Sequence, residues 1–494
     1  MIINSFRKPT LIATVASTAS TSAVVAVVLA LSACAVGPDF KKPELPKAIS
    51  FTRESSGLEL KGGADIKADW WKSYNSSELN KLIELALKHN PSVETATANL
   101  KVAKQNTIAQ QGFYFPTITA GTSRTILNNG VSGGSSLNGV GGAGPGNGAP
   151  TYTVNSAGLS VGFVPDLFGG NRRAVESLRG LENSAKYQLA ALQITIVTNV
   201  IQTVSQETTL REQLRMAEAA ERAAFKQREH LRRMAAVGYI SGIELAAQES
   251  SYAFTAAQVP SLRKLHEQTL DLLSVLCGEL PSTKLEIPTI ESLKIPSDLP
   301  VAVPSGWIEK RPDVKAAEEM VKSSNAQIGV AIANMIPQIS ISGFTGATAG
   351  AFSALRDSLN KSWSETLNVN QTLFAGGTLL ARKRSAEANL ESSLGQYKFA
   401  VLTAFQNVAD TLYALEQDKR SWEIARDNAQ ANKKIYEYTQ LQFEKGYVSE
   451  PILLGVEQTY LVAEINKMQA YALYLGDTAA LYQSLGGGWP GVGK

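Results

Sequence analysis

The sequence predicts a mainly α-helical chain that also contributes strands to a transmembrane β-barrel, and three observations support this prediction. The chain of 494 residues repeats itself, so that both halves run through the same series of elements. Each half contains short segments in which apolar and small polar residues alternate, as they do in the strands of membrane barrels. Each half also contains one very long segment without proline, enough for a helix of roughly 100 Å.

The N-terminal residues have the composition of an export signal. Arg7 and Lys8 precede an Ala- and Val-rich stretch, which ends in Leu31-Ser32-Ala33-Cys34. This tetrapeptide resembles the lipobox of bacterial lipoproteins, so we expect cleavage before Cys34 and acylation of its thiol. Ala35 follows the cysteine instead of Asp, which by resemblance favours the outer membrane. The alternative is an uncleaved membrane helix, which the many Thr and Ser residues of the stretch disfavour.

Composition and motifs argue against several classes of protein. The formal net charge of +3 gives no support to nucleic-acid binding. Cys34 and Cys277 lie in very different sequence surroundings, so we expect no disulfide framework. We expect Cys277 to be a small buried residue. His89, His230 and His266 all fall in predicted helices, without the spacing of a metal-binding or nucleophile motif. The sequence therefore predicts no enzyme, no metal site and no cofactor except covalent lipid at Cys34.

An internal repeat divides the mature chain. Asn90-Pro91 and Phe115-Pro116 match Arg311-Pro312 and Ile336-Pro337 at one common offset. Farther along, Leu167-Phe168-Gly169-Gly170 matches Leu373-Phe374-Ala375-Gly376-Gly377, and Gly238-Tyr239-Ile240-Ser241 matches Gly446-Tyr447-Val448-Ser449. The predicted segments are a lipoprotein signal peptide (1–33), an N-terminal extended segment (34–75), a first repeat (76–280), a linker (281–304), a second repeat (305–485) and a C-terminal tail (486–494).

Each repeat is predicted to begin with a helix and to continue with two strands. The helices are expected at about 76–112 and 305–335, each ending at a proline. The strands are expected at about 116–126, 156–163, 337–346 and 363–373. In the second of them Leu159, Val161 and Phe163 share one side and Ser160 and Gly162 the other. This pattern suits a barrel strand between lipid and water, and the alternative is an ordinary amphipathic strand of a soluble sheet.

Loops and long helices complete each repeat. The glycine-rich segment 129–150 and its shorter counterpart 347–362 are expected to be exposed loops. Long helices are expected at about 172–236 and 378–444, with return helices at about 243–277 and 451–485 after the turns at Gly238 and Gly446. Apolar residues at heptad spacing support close helix packing. These are Leu210, Ala217, Ala224 and Leu231 in the first long helix, and Leu394, Val401, Val408 and Leu415 in the second.

The number of strands implies several copies of the chain. Each chain supplies four predicted strands, whereas closed membrane barrels begin at about eight. An open strand edge in lipid leaves backbone groups without hydrogen bonds, at a cost of several kcal/mol for each group. Several copies must therefore share one barrel. Two copies would make eight strands and three would make twelve, and the count does not choose between them.

With these motifs in place, the chain resembles the TolC-type outer-membrane factor family and its NodT-like efflux lipoprotein branch. The motifs are Cys34-Ala35-Val36-Gly37-Pro38-Asp39-Phe40, Asp69-Trp70-Trp71, Asp166-Leu167-Phe168-Gly169 and its repeat, and both glycine turns. The resemblance implies a homotrimer with a 12-stranded barrel in the outer membrane, continued by a long α-helical periplasmic tunnel. It also implies a periplasmic membrane-fusion adaptor and an inner-membrane pump, often of the resistance-nodulation-division type.

The resemblance assigns roles to particular residues. The two turns match the adaptor-contact turns of the family: Gly238, Tyr239, Ile240 and Ser241 in the first, and Gly446, Tyr447, Val448 and Ser449 in the second. Glu244 matches an acid at the periplasmic entrance. The family often has an aspartate at the constriction where this chain has Gly455, so either the acidic ring is missing or Glu450 or Glu457 replaces it.

The predicted function is therefore the outer-membrane channel of a tripartite efflux system, a passive duct for drugs or other small solutes. A protein-secretion channel of type I and a pore-free structural envelope lipoprotein are the alternatives. The alternating strands and the glycine-rich loop disfavour the pore-free lipoprotein. Family branches that carry a lipobox resemble small-molecule efflux components more than secretion components.

Overall fold

The computed structural model describes residues 35–44, 61–62, 66–128, 151–296, 300–301 and 308–488. The predicted signal peptide, Cys34 and the whole glycine-rich loop 129–150 lie outside these residues. The helices are α1 (Ser77–His89), α2 (Pro91–Gln111), α3 (Gly170–Ala236), α4 (Gly242–Leu276), α5 (Pro312–Ala333), α6 (Thr378–Glu444) and α7 (Glu450–Ser484). The strands are β1 (Lys61–Gly62), β2 (Thr117–Asn128), β3 (Thr151–Phe163), β4 (Pro300–Val301), β5 (Gln338–Ala349) and β6 (Lys361–Asn370).

The chain forms two compact units. Among the described residues, the first unit comprises 35–41, 103–128, 151–181 and 321–392, and the second comprises the remainder. The first unit contains a four-stranded antiparallel sheet in the order β2-β3-β5-β6. The second contains most of the helical residues and the short parallel pair β1-β4. No helix in the described part of the chain is both long enough and apolar enough to cross a membrane.

The two faces of the four-stranded sheet differ in polarity. Ile118 lies opposite Val161, and Ile341 lies between Phe163 and Leu367. Residues directly opposite in an antiparallel pair share a face, so these side chains form one apolar face. The other face carries mainly hydroxyl and amide groups, and its larger apolar or aromatic members are Leu127, Tyr152, Val154 and Phe344. Its polar members are Thr117, Thr119, Ser123, Thr125, Ser156, Ser160, Gln338, Ser340, Ser342, Thr348, Ser362, Ser364, Thr366, Asn368 and Asn370.

The apolar face is open to the surroundings in the single chain. Ile118, Leu367 and Val369 are each more than half exposed, and Trp363 is also exposed. A soluble sheet would bury such a face against a second layer of structure. The described chain supplies no second layer over these residues, which agrees with the predicted lipid-facing surface.

Both long helices are confirmed, and their return helices begin one residue earlier than predicted. The segment α6 has the predicted bounds, and α3 begins two residues earlier than the expected start. Val401, Val408 and Leu415 are buried, in agreement with the predicted heptad positions of α6. In α3 Leu210 is buried, whereas Ala217, Ala224 and Leu231 are half-buried. The four strands are also present, each displaced by a few residues from the predicted bounds.

The prediction of one continuous helix over 76–112 is wrong. The chain forms α1 and α2, and Asn90 between them is extended, with φ −65° and ψ 124°. Proline restricts the residue before it to extended conformations, and Pro91 is itself well suited to the first position of a helix. The Asn90 amide donates a hydrogen bond to the Leu276 carbonyl oxygen at 2.9 Å, which fixes the bend against the end of α4.

Aromatic residues near the end of the N-terminal segment form part of the core of the second unit, which contains most of the helical residues. The Trp70 ring stacks on Tyr482 with centroids 4.7 Å apart. The Tyr74 side chain is fully buried, and its hydroxyl donates to the Leu475 carbonyl oxygen at 3.4 Å. Cys277 is buried as predicted, and burial raises the pKa of its thiol to about 11. The contacts of Trp70 and Tyr74 join α7 to the residues that precede α1.

Candidate functional site

The two turns that join the long helices to their return helices have the same backbone geometry. In the first turn the Gly238 N–H donates to Ala235 and the Tyr239 N–H to Met234, at 3.0 and 2.9 Å. In the second turn Gly446 donates to Phe443 and Tyr447 to Gln442, both at 2.9 Å. Both glycines have positive φ, 73° and 76°. Each turn is therefore a Schellman motif, which needs a left-handed residue one position beyond the helix.

The return helices begin differently at the two turns. The Ser241 hydroxyl accepts a hydrogen bond from the Glu244 N–H at 3.3 Å, and a Glu244 carboxylate oxygen accepts from the Ser241 N–H at 2.8 Å. This reciprocal arrangement is a capping box, and it satisfies two backbone donors that the helix leaves unpaired. Ser449 makes no such side-chain bond. Pro451 lies in the first turn of α7 and has no N–H, so this helix start has one backbone donor fewer to satisfy. Both turns share the same backbone hydrogen bonds, but the start of α4 is also stabilised by side-chain bonds, whereas the start of α7 has a proline and no such bond.

Large apolar and aromatic side chains are exposed at both turns. Tyr239 and Tyr447 are 79% and 78% exposed, and Val237 and Ile243 are exposed to a similar degree. Ile240 and Val448 are half-buried. Neighbouring exposed apolar side chains of this size mark surfaces that contact other proteins more often than plain solvent-facing turns. The structure thus presents the eight predicted turn residues as two equivalent surfaces with a tyrosine at the centre of each.

The predicted entrance residues have different surroundings. The Glu244 carboxylate accepts a hydrogen bond in the capping box and so stabilises the first turn of α4. Glu450 is the exposed first residue of α7, and a side chain added at Gly455 would meet open space. Glu457 lies close enough to Tyr436 that burial and the Glu457 charge raise the pKa of that phenol. Glu244 belongs to α4, whereas the other three residues belong to α7.

A carboxyl pair in the helical unit has no signal in the sequence. Burial and a hydrogen bond with Asp418 raise the pKa of Asp477 to about 6, so the pair shares a proton at mildly acidic pH. Asp477 also lines a cavity of about 540 Å³ together with the amide side chains of Gln202, Gln206 and Gln213. Asp418 lies in α6 and Asp477 in α7, and no spacing within either helix indicates their contact.

A second buried charge joins α3 to α4. Glu207 is 2% exposed, and its carboxylate lies 3.2 Å from Nε2 of His266 and 3.6 Å from Nη2 of Arg211. Burial raises the pKa of Glu207, and the neighbouring Arg211 and His266 oppose that rise. Arg211 also donates to the carbonyl oxygen of Pro288, so the same group holds the linker. The sequence predicts a helix at His266 but contains no signal for this contact.

Residues directly after the predicted lipidation site are held firmly in the sheet unit. The Val36 N–H donates to the Phe168 carbonyl oxygen at 3.0 Å. The guanidinium of Arg173, which is buried, donates to the carbonyl oxygens of Val36 and Gly37 and forms an ion pair with Asp39 at 2.7 Å. The segment after Cys34 is thus attached to the turn between β3 and α3. Cys34 itself lies outside the described residues.

Comparison with known proteins identifies relatives over almost the whole described chain. A family model described as outer membrane efflux protein matches residues 82–279 and 303–487. The pyoverdine export outer membrane protein OpmQ of Pseudomonas aeruginosa is 26% identical over 438 residues, which cover 86% of this chain and 88% of OpmQ. Nodulation protein T of Rhizobium leguminosarum bv. trifolii is 24% identical over 470 residues, which cover 94% of this chain and 97% of that protein.

A solved structure gives the same result for the fold. The outer-membrane channel OprN is 25% identical, with a TM-score of 0.77 over 92% of this chain and 99% of OprN. The structural neighbours are trimeric channels in which a barrel is continued by a helical tunnel. The resemblance to NodT-like outer-membrane factors and the predicted fold class, with four strands from each chain, are therefore confirmed.

The different capping of the two turns predicts different effects of the same mutation. Ser241→Ala removes the hydroxyl of the capping box and should destabilise the start of α4 by about 1 kcal/mol. Ser449→Ala is the matched control, because the Ser449 side chain makes no capping bond. Hydrogen–deuterium exchange should therefore speed up in the first turn of α4 in the former variant and stay unchanged in the first turn of α7 in the latter. Equal acceleration in both would contradict the assignment.

Proposed function

Since this chain belongs to the outer membrane efflux protein family, it is the outer-membrane channel of a tripartite efflux system, and we propose that it exports small solutes delivered by a resistance-nodulation-division pump. Channels of this family are homotrimers that extend into the periplasm and work with an adaptor and an inner-membrane pump. The observation on which the proposal depends is the sheet with one apolar and one polar face, made by a chain whose long helices begin beside it.

The lining of the duct favours small solutes of varied chemistry. Hydroxyl and amide side chains cover the polar face of the four strands, which is the face toward water in a membrane barrel. Channels that select by charge use rings of acidic or basic side chains at close quarters. The polar face of these strands has no such residue among those described. The relative OpmQ is named for the export of pyoverdine, and this also favours efflux over protein secretion.

The two Schellman turns are proposed as the surfaces that contact the adaptor. Tyr239 and Tyr447 are exposed at corresponding positions of the two repeats, so a trimer presents six equivalent tyrosines in a ring. A tyrosine supplies a large apolar area and a hydroxyl at low conformational cost, which is why it is frequent in protein interfaces. A ring of six equivalent sites suits a partner that repeats its own contact surface.

The contact role can be tested separately from the pore. In cells with a matching adaptor and pump, Tyr239→Ala combined with Tyr447→Ala should abolish solute resistance, because the docking surface is lost. The purified variant should keep the wild-type conductance in planar bilayers. Phe352→Ala is the control, since Phe352 is also exposed but lies in the loop before β6. Loss of conductance together with resistance would point to a structural role, and a wild-type protein without channel events would favour the pore-free alternative.

The entrance of the duct is proposed to have weaker acidic character than the family usually shows. Gly455 stands where a carboxylate ring is common, and Glu450 and Glu457 lie on α7 within two helical turns of it. Glu457 is half-buried near Tyr436, so Glu450 is the more exposed of the two acids. Without a ring at Gly455, the channel should discriminate less between cations and anions.

Adding the missing carboxylate should therefore make the pore more cation-selective. Gly455→Asp places three carboxylates in the trimer at a position with open space for a side chain. The reversal potential under a salt gradient should shift toward the cation value. Gly395→Asp adds the same charge at an open position of α6 and serves as the control. An unchanged reversal potential for Gly455→Asp would argue against a constriction at this residue.

Acylation of Cys34 is proposed as the second membrane attachment of the protein. The signal-like composition of 1–33 and the small residues before Cys34 support it. The attachment of residues 36–39 to Arg173 also supports it, because a tethered N-terminus would keep the acyl groups beside the sheet unit. Several acyl chains contribute about 0.8 kcal/mol for each buried methylene, which is enough for stable anchoring.

Lipidation can be tested by metabolic labelling. Cys34→Ser should abolish incorporation of radioactive palmitate and leave folding largely intact, because the barrel and helices do not require the lipid. Cys277→Ser is the matched control, since Cys277 is buried and should not affect labelling. Labelling that persists in Cys34→Ser would exclude this cysteine as the acylated residue.

A further inference from the structure

Charged residues are rare in the four strands of the sheet and lie only on its two edge strands. They are Arg124 in β2, and Lys361 and Glu365 in β6. The two central strands β3 and β5 have none. Lys361 is the first residue of β6, at the strand end, whereas Arg124 and Glu365 lie within their strands. The edges of one chain thus carry one interior charge of each sign.

Both interior charges lie on the apolar face. Glu365 is opposite Gly343, Gly343 is opposite Val161, and Val161 is opposite Ile118. Arg124 is an even number of residues from Ile118 in the same strand, so it lies on the same face. Both side chains are exposed in the single chain, and neither forms an ion pair with any residue that the structure describes. An ionised side chain on the lipid side of a barrel strand is costly unless it has a partner.

The stagger of the strands indicates which residues meet when another copy continues the sheet. We call a line of directly opposite residues across the four strands a row. The row that contains Glu365 reaches β2 at Ile118, which directly follows the first residue of that strand. On β6 the same row lies five residues from the last residue, Asn370, at the same end of the sheet. From β2 to β6, which is three strand-to-strand steps, a row thus moves away from this end of the sheet by about four residues.

One further step of the same size leads from β6 to β2 of the next copy. It brings the row of Glu365 to a position about six or seven residues beyond Thr117, which is Ser123 or Arg124. Ser123 lies on the polar face. A sheet continued between copies must keep its apolar face aligned, because a shift of one residue would turn every side chain over. Arg124 is therefore the residue that meets Glu365.

We propose that Arg124 of one copy and Glu365 of the next form an ion pair on the lipid-facing side of each boundary between copies. The pair rests on the shared barrel and is independent of the cargo and pump proposed above. Directly opposite and diagonal neighbours in antiparallel strands are both within reach of these long side chains. The pair neutralises the two charges only in registers that place them directly opposite or diagonal to each other, so it restricts how the otherwise open edges align.

Disulfide trapping tests the register directly. In a Cys277→Ser background, Arg124→Cys with Glu365→Cys should give covalent trimers on a non-reducing gel after mild oxidation. A disulfide needs Cα atoms within about 7 Å and side chains on the same side. Two controls use Glu365→Cys with Ser123→Cys, on the opposite face, or with Ile118→Cys, far from it in the proposed register. The crosslinked fraction should be at least about fivefold lower in both. Equal or stronger crosslinking in either control would overturn the proposal.

Charge exchange tests the ion pair itself. Arg124→Glu alone and Glu365→Arg alone place like charges at each boundary and should speed dissociation of the detergent-solubilised trimer by roughly tenfold. The double variant Arg124→Glu/Glu365→Arg reverses the pair and should return the rate to near the wild-type value, because coupled residues are not additive. A double variant that dissociates as fast as the sum of the single effects predicts would contradict the contact, even if the crosslink forms.

Discussion

The unpaired backbone groups along the outer edges of β2 and β6 are the constraint on which the rest of the molecule depends. In lipid these N–H and C=O groups have no water to bond, so the sheet of one chain is incomplete as a membrane structure. Every other copy has the same two edges. When the copies pair edge to edge in a closed ring, all of these N–H and C=O groups are hydrogen-bonded. The trimer therefore follows from the strand count of each chain together with the family to which it belongs.

The internal repeat gives the turns in the two halves of the chain the same backbone conformation, although their side chains differ. Gly238 and Gly446 have nearly the same positive φ and the same pair of Schellman hydrogen bonds. The helix starts that follow have diverged, with a capping box at Ser241 and a proline after Ser449. A turn of this type requires one particular backbone conformation at the end of a helix. The unpaired N–H groups at the start of the next helix can be satisfied in several ways. The glycines are thus the shared part of the two proposed contact surfaces.

Much of the fold could be predicted because its signals are local. The absence of proline and the glycine after the last helical residue defined the bounds of α6, and period-two alternation located the strands. The break at Asn90 differs from the prediction because the proline that follows restricts Asn90 to an extended conformation, which a helical pattern in the flanking residues does not reveal. The contacts of Asp418 with Asp477 and of Glu207 with His266 could not be predicted. They depend on the rotation and axial position of separate helices, which no spacing within one helix records.

Those contacts also explain how the long helices keep their alignment. An apolar surface with a heptad period offers nearly equivalent packing after a slide of seven residues, because similar side chains then replace one another. A slide of α4 along α3 would separate His266 from Glu207, whose side chain is almost fully buried. A buried carboxylate without its partners costs several kcal/mol, far more than a change of aliphatic contacts. Apolar positions thus hold the helices together, and a few buried charges determine which of the possible alignments is adopted.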